Sequence, residues 1–178
     1  MEIKIEKQAS ENFYSEVLDI ISNYKKLLQN PRRKIKGLIK QSILLNSISF
    51  LFLIAFTLLY ILNNSYTMYL YVIVIFVITS ILGIFYFFLI KRRISQLKHV
   101  DADKKFIIND EFVELDVGEE KTRLLTSEIQ YVILNKYSIC FIPKNNNFKL
   151  IAIPIEYKDL ILKSIKNQNI IFDNSDLY

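Results

Sequence analysis

The chain has 178 residues, 52% of them hydrophobic, and 23 Lys and Arg against 18 Asp and Glu, a net charge of +5. A single cysteine, Cys140, excludes an internal disulfide, and three glycines (Gly37, Gly83 and Gly118) are too few for a Gly-rich phosphate loop. The apolar residues and the positive charge are both concentrated in particular stretches.

Glu2-Ile3-Lys4-Ile5-Glu6-Lys7 alternates polar and apolar residues, as a half-buried strand does. No partner lies nearby, so it is expected to pair with the distant C-terminal sheet. Ser10 can cap a helix whose first turn Glu11 favours. Tyr14, Val17, Leu18, Ile21 and Leu28 would share one face of it. Pro31 ends that helix and can open a second one, expected to run straight into the apolar region.

Ile43–Leu62 and Met68–Ile90 contain no charged residue and carry fourteen and sixteen Leu, Ile, Val or Phe. A bilayer-spanning helix needs about 20 mostly apolar residues. Each such side chain contributes roughly −0.3 to −0.6 kcal/mol at the helix centre, and a charge would cost about +3. Two transmembrane helices in a hairpin are therefore expected, joined at Asn63-Asn64-Ser65, which is read as turn chemistry. Arg32, Arg33, Lys34, Lys36 and Lys40 precede the hairpin, Lys91, Arg92, Arg93 and Lys98 follow it, and its loop has no cation. The positive-inside rule then puts both termini in the cytoplasm. Tyr60, Tyr66, Tyr69 and Tyr71 cluster at the tip, at headgroup level. The first apolar run is internal and the N-terminus charged, so no cleavable signal peptide is expected.

After Arg93, Ile94, Leu97, His99 and Val100 continue a helical pattern briefly, and Asp101 and Asp103 read as turn residues. From Lys104 the period becomes two. Phe106–Ile108, Val113–Val117 and Lys121–Leu125 read as strands, with turns at Asn109-Asp110 and Gly118-Glu119-Glu120. Thr126–Ile129 reads as a helical turn capped by Thr126 or Ser127. Tyr131–Leu134 and Ser138–Ile142 form a hairpin around Asn135-Lys136-Tyr137. Asn145-Asn146-Asn147 turns the chain into Phe148–Ile153, closed by Pro154. Tyr157, Leu160, Ile161, Ser164, Ile165 and Gln168 share a helical face. Ile170-Ile171-Phe172 reads either as a further strand or as a segment docked on that helix. The expected fold is thus a transmembrane hairpin plus a small cytoplasmic α+β domain, an antiparallel curved sheet with a C-terminal helix. The divisions are an N-terminal segment (1–40), the hairpin (41–92), a linker (93–103), the domain (104–168) and a tail (169–178).

Met1-Glu2-Ile3-Lys4-Ile5, Pro31-Arg32-Arg33, the hairpin and Phe106–Lys166 together resemble the YcxB-like family of bacterial membrane proteins. Thr126-Ser127-Glu128-Ile129-Gln130-Tyr131-Val132 stands where that family usually has a tryptophan-led W-x-D-I segment, and Ile151-Ala152-Ile153-Pro154 stands where it has an I-I-P strand. The resemblance implies a C-terminal domain similar to a pleckstrin-homology fold and no catalytic residues.

Residues 1–40 hold nine Lys and Arg against five Asp and Glu, whereas 104–178 hold ten against eleven. The basic excess flanks the hairpin, which accounts for it by contact with anionic headgroups and without nucleic acid. The surface-contact residues are Arg32, Arg33, Lys34, Lys36, Lys40, Lys91, Arg92 and Arg93. Asn46 is a candidate for helix–helix packing in the hairpin or in a homo-oligomer. His99 is the single histidine and has no companion ligands for a metal. A Cys140–His99 dyad has little behind it, because Cys140 lies between Ile139 and Phe141 in a strand pattern that buries thiols. No cofactor is expected. The expected function is a non-enzymatic protein of the bacterial inner membrane whose cytoplasmic domain binds a protein or peptide partner or lipid headgroups. Size and topology also fit a self-protection (immunity) protein against a bacteriocin or secreted toxin. An enzyme or transporter subunit ranks last for want of a polar cluster.

Overall fold

In a computed structural model, residues 2–5, 9–35, 37–62, 67–99, 104–117, 120–145, 150–165 and 170–177 are described. Several expectations lie outside them: Lys36, the turns at Asn63-Asn64-Ser65 and Gly118-Glu119, Tyr66, Val100, Asp101, Asp103, Asn146-Asn147, Phe148 and Gln168. The chain divides into two compact units, residues 1–36 with 94–178, and residues 37–93.

The first unit begins with strand β1 (Glu2–Ile5) and helix α1 (Glu11–Gln29), and resumes after the hairpin with β2 (Lys104–Ile108), β3 (Phe112–Val117) and β4 (Glu120–Leu125). Then come β5 (Ile129–Leu134), β6 (Ser138–Pro143), β7 (Ile151–Pro154), α4 (Lys158–Ser164) and β8 (Ile171–Asp173). β1 pairs antiparallel with β2, Ile3 opposite Phe106, as its alternation required.

The strands form two four-stranded sheets, ordered β1-β2-β3-β4 and β7-β6-β5-β8, where one curved antiparallel sheet was expected. The break falls at the 3₁₀ turn Thr126–Glu128. Neither Thr126 nor Ser127 caps that turn; the Glu128 carboxylate accepts the Leu125 amide instead, at 3.2 Å. The second sheet also gains a parallel pair, because the tail strand β8 lies beside β5.

One core joins both sheets and α4. Ile3, Phe106, Val113, Leu124, Val132, Leu134, Ile139, Phe141, Ile151, Ile153 and Ile161 are buried in it. The opposite faces of β5 and β6 carry Ile133, Cys140 and Ile142, and α1 covers these with Ile20, Tyr24 and Leu27. Every residue of β6 is therefore buried. This explains the unbroken apolar run Ile139-Cys140-Phe141-Ile142, since strands covered on both sides lose the alternation of a half-solvated one.

Ser10 caps α1 by accepting the Phe13 amide at 3.3 Å. The buried stripe of α1 keeps Tyr14, Val17 and Leu18 of the expected one and departs from it at Ile21 and Leu28. Phe13, Tyr14, Val17, Leu18, Ile20, Tyr24 and Leu27 are buried, Ile21 is exposed and Leu28 only half-buried. Ile20, Tyr24 and Leu27, not Ile21, make the face that meets the sheet. The Tyr24 hydroxyl also donates to the Pro143 carbonyl at 2.6 Å, which anchors the helix to the end of β6.

No helix follows Pro31. Asn30 is extended, its carbonyl accepts the Arg33 amide and its side chain the Arg32 amide, both at 3.1 Å. These bonds make a turn, and Ile35 is buried beside Ile20 and Tyr24, which holds the segment extended on the unit.

The second unit is a helical hairpin of α2 (Leu38–Leu62) and α3 (Thr67–His99), α3 continuing past Arg93 into the first unit. Both helices are long and apolar enough to cross a membrane.

Candidate membrane interface

Within the hairpin, contacts pair Asn46 with Gly83, Ser49 with Thr79 and Ser80, Phe52 with Phe76, and Phe56 with Tyr69, so the helices run antiparallel. Four polar residues of the two apolar runs, Asn46 and Ser49 on α2 and Thr79 and Ser80 on α3, have contacts along this seam. Ser49 Oγ lies 3.1 Å from Thr79 Oγ1 and 3.0 Å from Ser80 Oγ. Thr57 and Thr79 return their hydroxyls to carbonyls of their own helices, at 2.7 Å (Leu53) and 3.0 Å (Ile75). The Asn46 amide fills the space that a Cβ would take at Gly83, so the glycine admits the side chain of the facing helix. Phe52 and Phe76 stack with centroids 5.3 Å apart and planes 9° from parallel. Asn46 thus packs inside the hairpin.

Ser47 and Thr79 apart, the exposed surface of the two runs is apolar, with Leu44, Leu45, Ile48, Leu51 and Ile54 on α2, and Val74, Ile78, Ile81, Leu82 and Phe85 on α3. Only 11% and 6% of the most apolar windows of the two helices are buried. The core helix of a soluble domain buries its apolar stripe, and these helices do not. Lys40 and Lys91, Arg92 and Arg93 are exposed, and the antiparallel pairing puts them at the same end of the hairpin. Tyr60, Tyr69 and Tyr71 lie toward the other end.

Arg32, Arg33 and Lys34 belong to the first unit and are exposed. The segment that carries them is tied down. Asn174, 1% exposed, donates from Nδ2 to the Pro31 carbonyl at 2.7 Å, and its amide donates to the Leu134 carbonyl at 2.7 Å. The Arg32 guanidinium lies 5.9 Å from the centre of the Phe172 ring. Asp173, next to the clamp, has its carboxyl held down at about 2 by the Ser175 hydroxyl and amide, with Lys158 adding at 3.0 Å. Asn174→Ala removes the bond to the Pro31 carbonyl, at a cost of about 0.5–1.5 kcal/mol. The expected result is faster trypsin cleavage after Arg32 and Arg33 in the full chain, with the sheet signal in circular dichroism retained; an unchanged cleavage rate would show that the clamp does not hold the segment.

Cys140 is fully buried, and burial pushes its thiol up to about 12, Ser138 opposing and the Glu16 charge adding. The thiol is therefore protonated and unreactive in the folded unit. His99 closes α3. Among the described residues no three His, Cys, Asp or Glu side chains gather as metal ligands do. A cavity of about 60 Å³ lined by Ser10, Phe13, Tyr137, Pro154 and Tyr157 is far smaller than the roughly 300–1,000 Å³ of small-molecule sites.

The sequence reading passed over a buried polar group under α1. Glu16 is 3% exposed, and its Oε2 accepts the Ser138 hydroxyl at 2.5 Å and the Tyr137 amide at 3.1 Å. Ser138 in turn accepts from Asn135 Nδ2 at 3.3 Å and from the Cys140 thiol at 3.5 Å. The signal was present: Glu16 lies three residues after Phe13 and four before Ile20, inside the apolar stripe.

Comparison with protein-family models, curated proteins and solved structures gives no match for this chain.

Proposed function

We propose that the chain is a non-enzymatic protein of the bacterial cytoplasmic membrane. α2 and α3 cross the bilayer, both termini are cytoplasmic, and the sheet unit, similar to a pleckstrin-homology fold, binds a protein or peptide partner or lipid headgroups. The observation that carries this reading is the large exposed apolar surface of the hairpin, whose sequence is uncharged from Gln41 to Ile90 and is bounded by cations at one end. In water that surface is unfavourable at about 25 cal/mol per Å², and hydrocarbon removes the penalty. The cations would meet anionic headgroups, worth about 1 kcal/mol each near the surface. Two packed sheets followed by α4, with Ile161 in the shared core, support the domain likeness. A partner role fits the burial of Cys140, Ser138 and Glu16, whose reactive groups face inward.

Reporter fusions to the full chain test the topology. Alkaline phosphatase is expected to be active when fused after Leu62 and inactive after Tyr178, with a fluorescent protein showing the reverse. An active phosphatase at Tyr178 would overturn the orientation. Photo-crosslinking from exposed positions of the sheet unit in intact cells would then identify what it binds.

A further inference from the structure

The Glu16 carboxylate is sealed between α1 and β6, and only half of it is satisfied. Oε2 takes two donors, while Oε1 is buried with no hydrogen-bond partner among the described residues. An ionised carboxylate in that position has lost its water and recovered only part of the loss, so docking of α1 works against its charge. Among the described residues, the groups that face it do not supply a cation. Asp19 on the same helix adds negative charge; Cys140 beneath is neutral; Tyr137 and Lys136 in the turn contribute backbone amides. The Lys136 ammonium lies over the Tyr137 ring, 5.5 Å from its centre.

We propose that Glu16 makes the joint between α1 and the second sheet a proton-sensitive latch, which closes more firmly when the carboxyl takes up a proton. The latch reaches the basic segment, because Ile35 packs in the same cluster as Ile20, Tyr24, Leu27 and Cys140. Whatever loosens α1 loosens the support under Arg32, Arg33 and Lys34.

The direction follows from linkage. Burial raises the Glu16 carboxyl above its ordinary value of 4.5, hydrogen bonds from Ser138 and the Tyr137 and Lys136 amides oppose it, and Asp19 reinforces it. A group with a folded-state pKa above its free value binds its proton more tightly when docked. Its contribution to docking is full below 4.5 and fades as pH rises through the folded-state value. The latch is tightest below 4.5 and loosens as pH rises from there.

Cys140 reports the latch directly, since it lies fully buried under α1 and is the chain's one thiol. The full chain in lipid nanodiscs is labelled with 4,4′-dithiodipyridine from below pH 4.5, the carboxyl's ordinary value, up to neutral pH. Each rate is divided by that of the denatured chain at the same pH, which cancels the chemistry of the thiol itself. In the wild type this ratio is expected to rise several-fold across the range, and in Glu16→Gln to stay flat. A flat wild-type profile, or a Gln variant that keeps the wild-type slope, overturns the proposal. If the variant does not fold, carbon-13 titration of the wild-type carboxyl decides: a Glu16 midpoint above 4.5 supports the latch, and one at or below 4.5 refutes it.

Discussion

Phe141→Ala is expected to lower the unfolding free energy of the sheet unit by about 3–5 kcal/mol, the range for deleting a fully buried phenylalanine ring. Phe141 is 0% exposed in β6, which pairs with β5 on one side and β7 on the other. Its ring meets Phe106 of the first sheet, centroids 5.8 Å apart and planes at 36°, so one side chain bridges the two sheets. With strand backbone on both flanks the site cannot collapse around the missing ring, which argues for the upper part of the range. Since whole domains are stable by only about 5–15 kcal/mol, the variant would be marginal. Urea titration of the full chain in micelles, followed by the sheet signal in circular dichroism, measures the loss. Leu160→Ala on the exposed side of α4 is the control, expected to stay within about 0.5 kcal/mol. Equal effects of the two would mean that the core does not lie between the sheets.

The second large effect is expected at Gly83. Any Cβ there overlaps the Asn46 amide, and Gly83→Leu adds a branched chain to the overlap. Overpacking of this kind costs about 1–3 kcal/mol, and forcing the helices apart also forfeits the Ser49–Thr79–Ser80 contacts, each worth roughly 0.6–2 kcal/mol. Ser49 and Ser80, with hydroxyl oxygens 3.0 Å apart, are suited to replacement by a cysteine pair in a Cys140→Ala background. Oxidative crosslinking of that pair should be efficient with Gly83 and strongly reduced with Gly83→Leu. Adding Asn46→Ala should recover part of it by making room. Recovery identifies the clash as the cause, whereas full crosslinking in the Gly83→Leu variant alone would show that the close approach is not needed.

The two apolar helices, the strand periods after Lys104 and the distant pairing of β1 were legible because each rests on local pattern: length without charge, alternation, or alternation with no neighbour to pair with. What was not legible depends on what covers a face. The run Ile139–Ile142 shows that β6 is buried on both sides but does not name α1 as the cover. Ile21 fits the spacing of the α1 stripe as well as Ile20 does, and the choice is made by the sheet beneath, which also takes Tyr24. Pro31 is as good a helix start as a turn, and Ile35 decides the matter by docking. The split into two sheets falls at the short 3₁₀ turn Thr126–Glu128, which the alternation on either side does not mark. Asn46 stands out in the sequence as an amide in an apolar run, whereas nothing there pointed to Gly83, the residue it meets. Glu16 was missed because a single acid in a helix reads as solvated until the strand beneath it supplies Ser138.

The pairing of Ile3 with Phe106 sets a schedule for biosynthesis. When β1 and α1 leave the ribosome, the strands they will join do not yet exist, and about a hundred further residues must be translated first. At roughly 5–20 residues per second that is a wait of about 5–20 s, spent with Ile3, Phe13, Ile20 and Leu27 uncovered while the greasy hairpin is made. This chain therefore closes from its two ends after its middle is finished. A nick between α2 and α3 should leave two fragments that remain associated through a shared fold, each useless without the other.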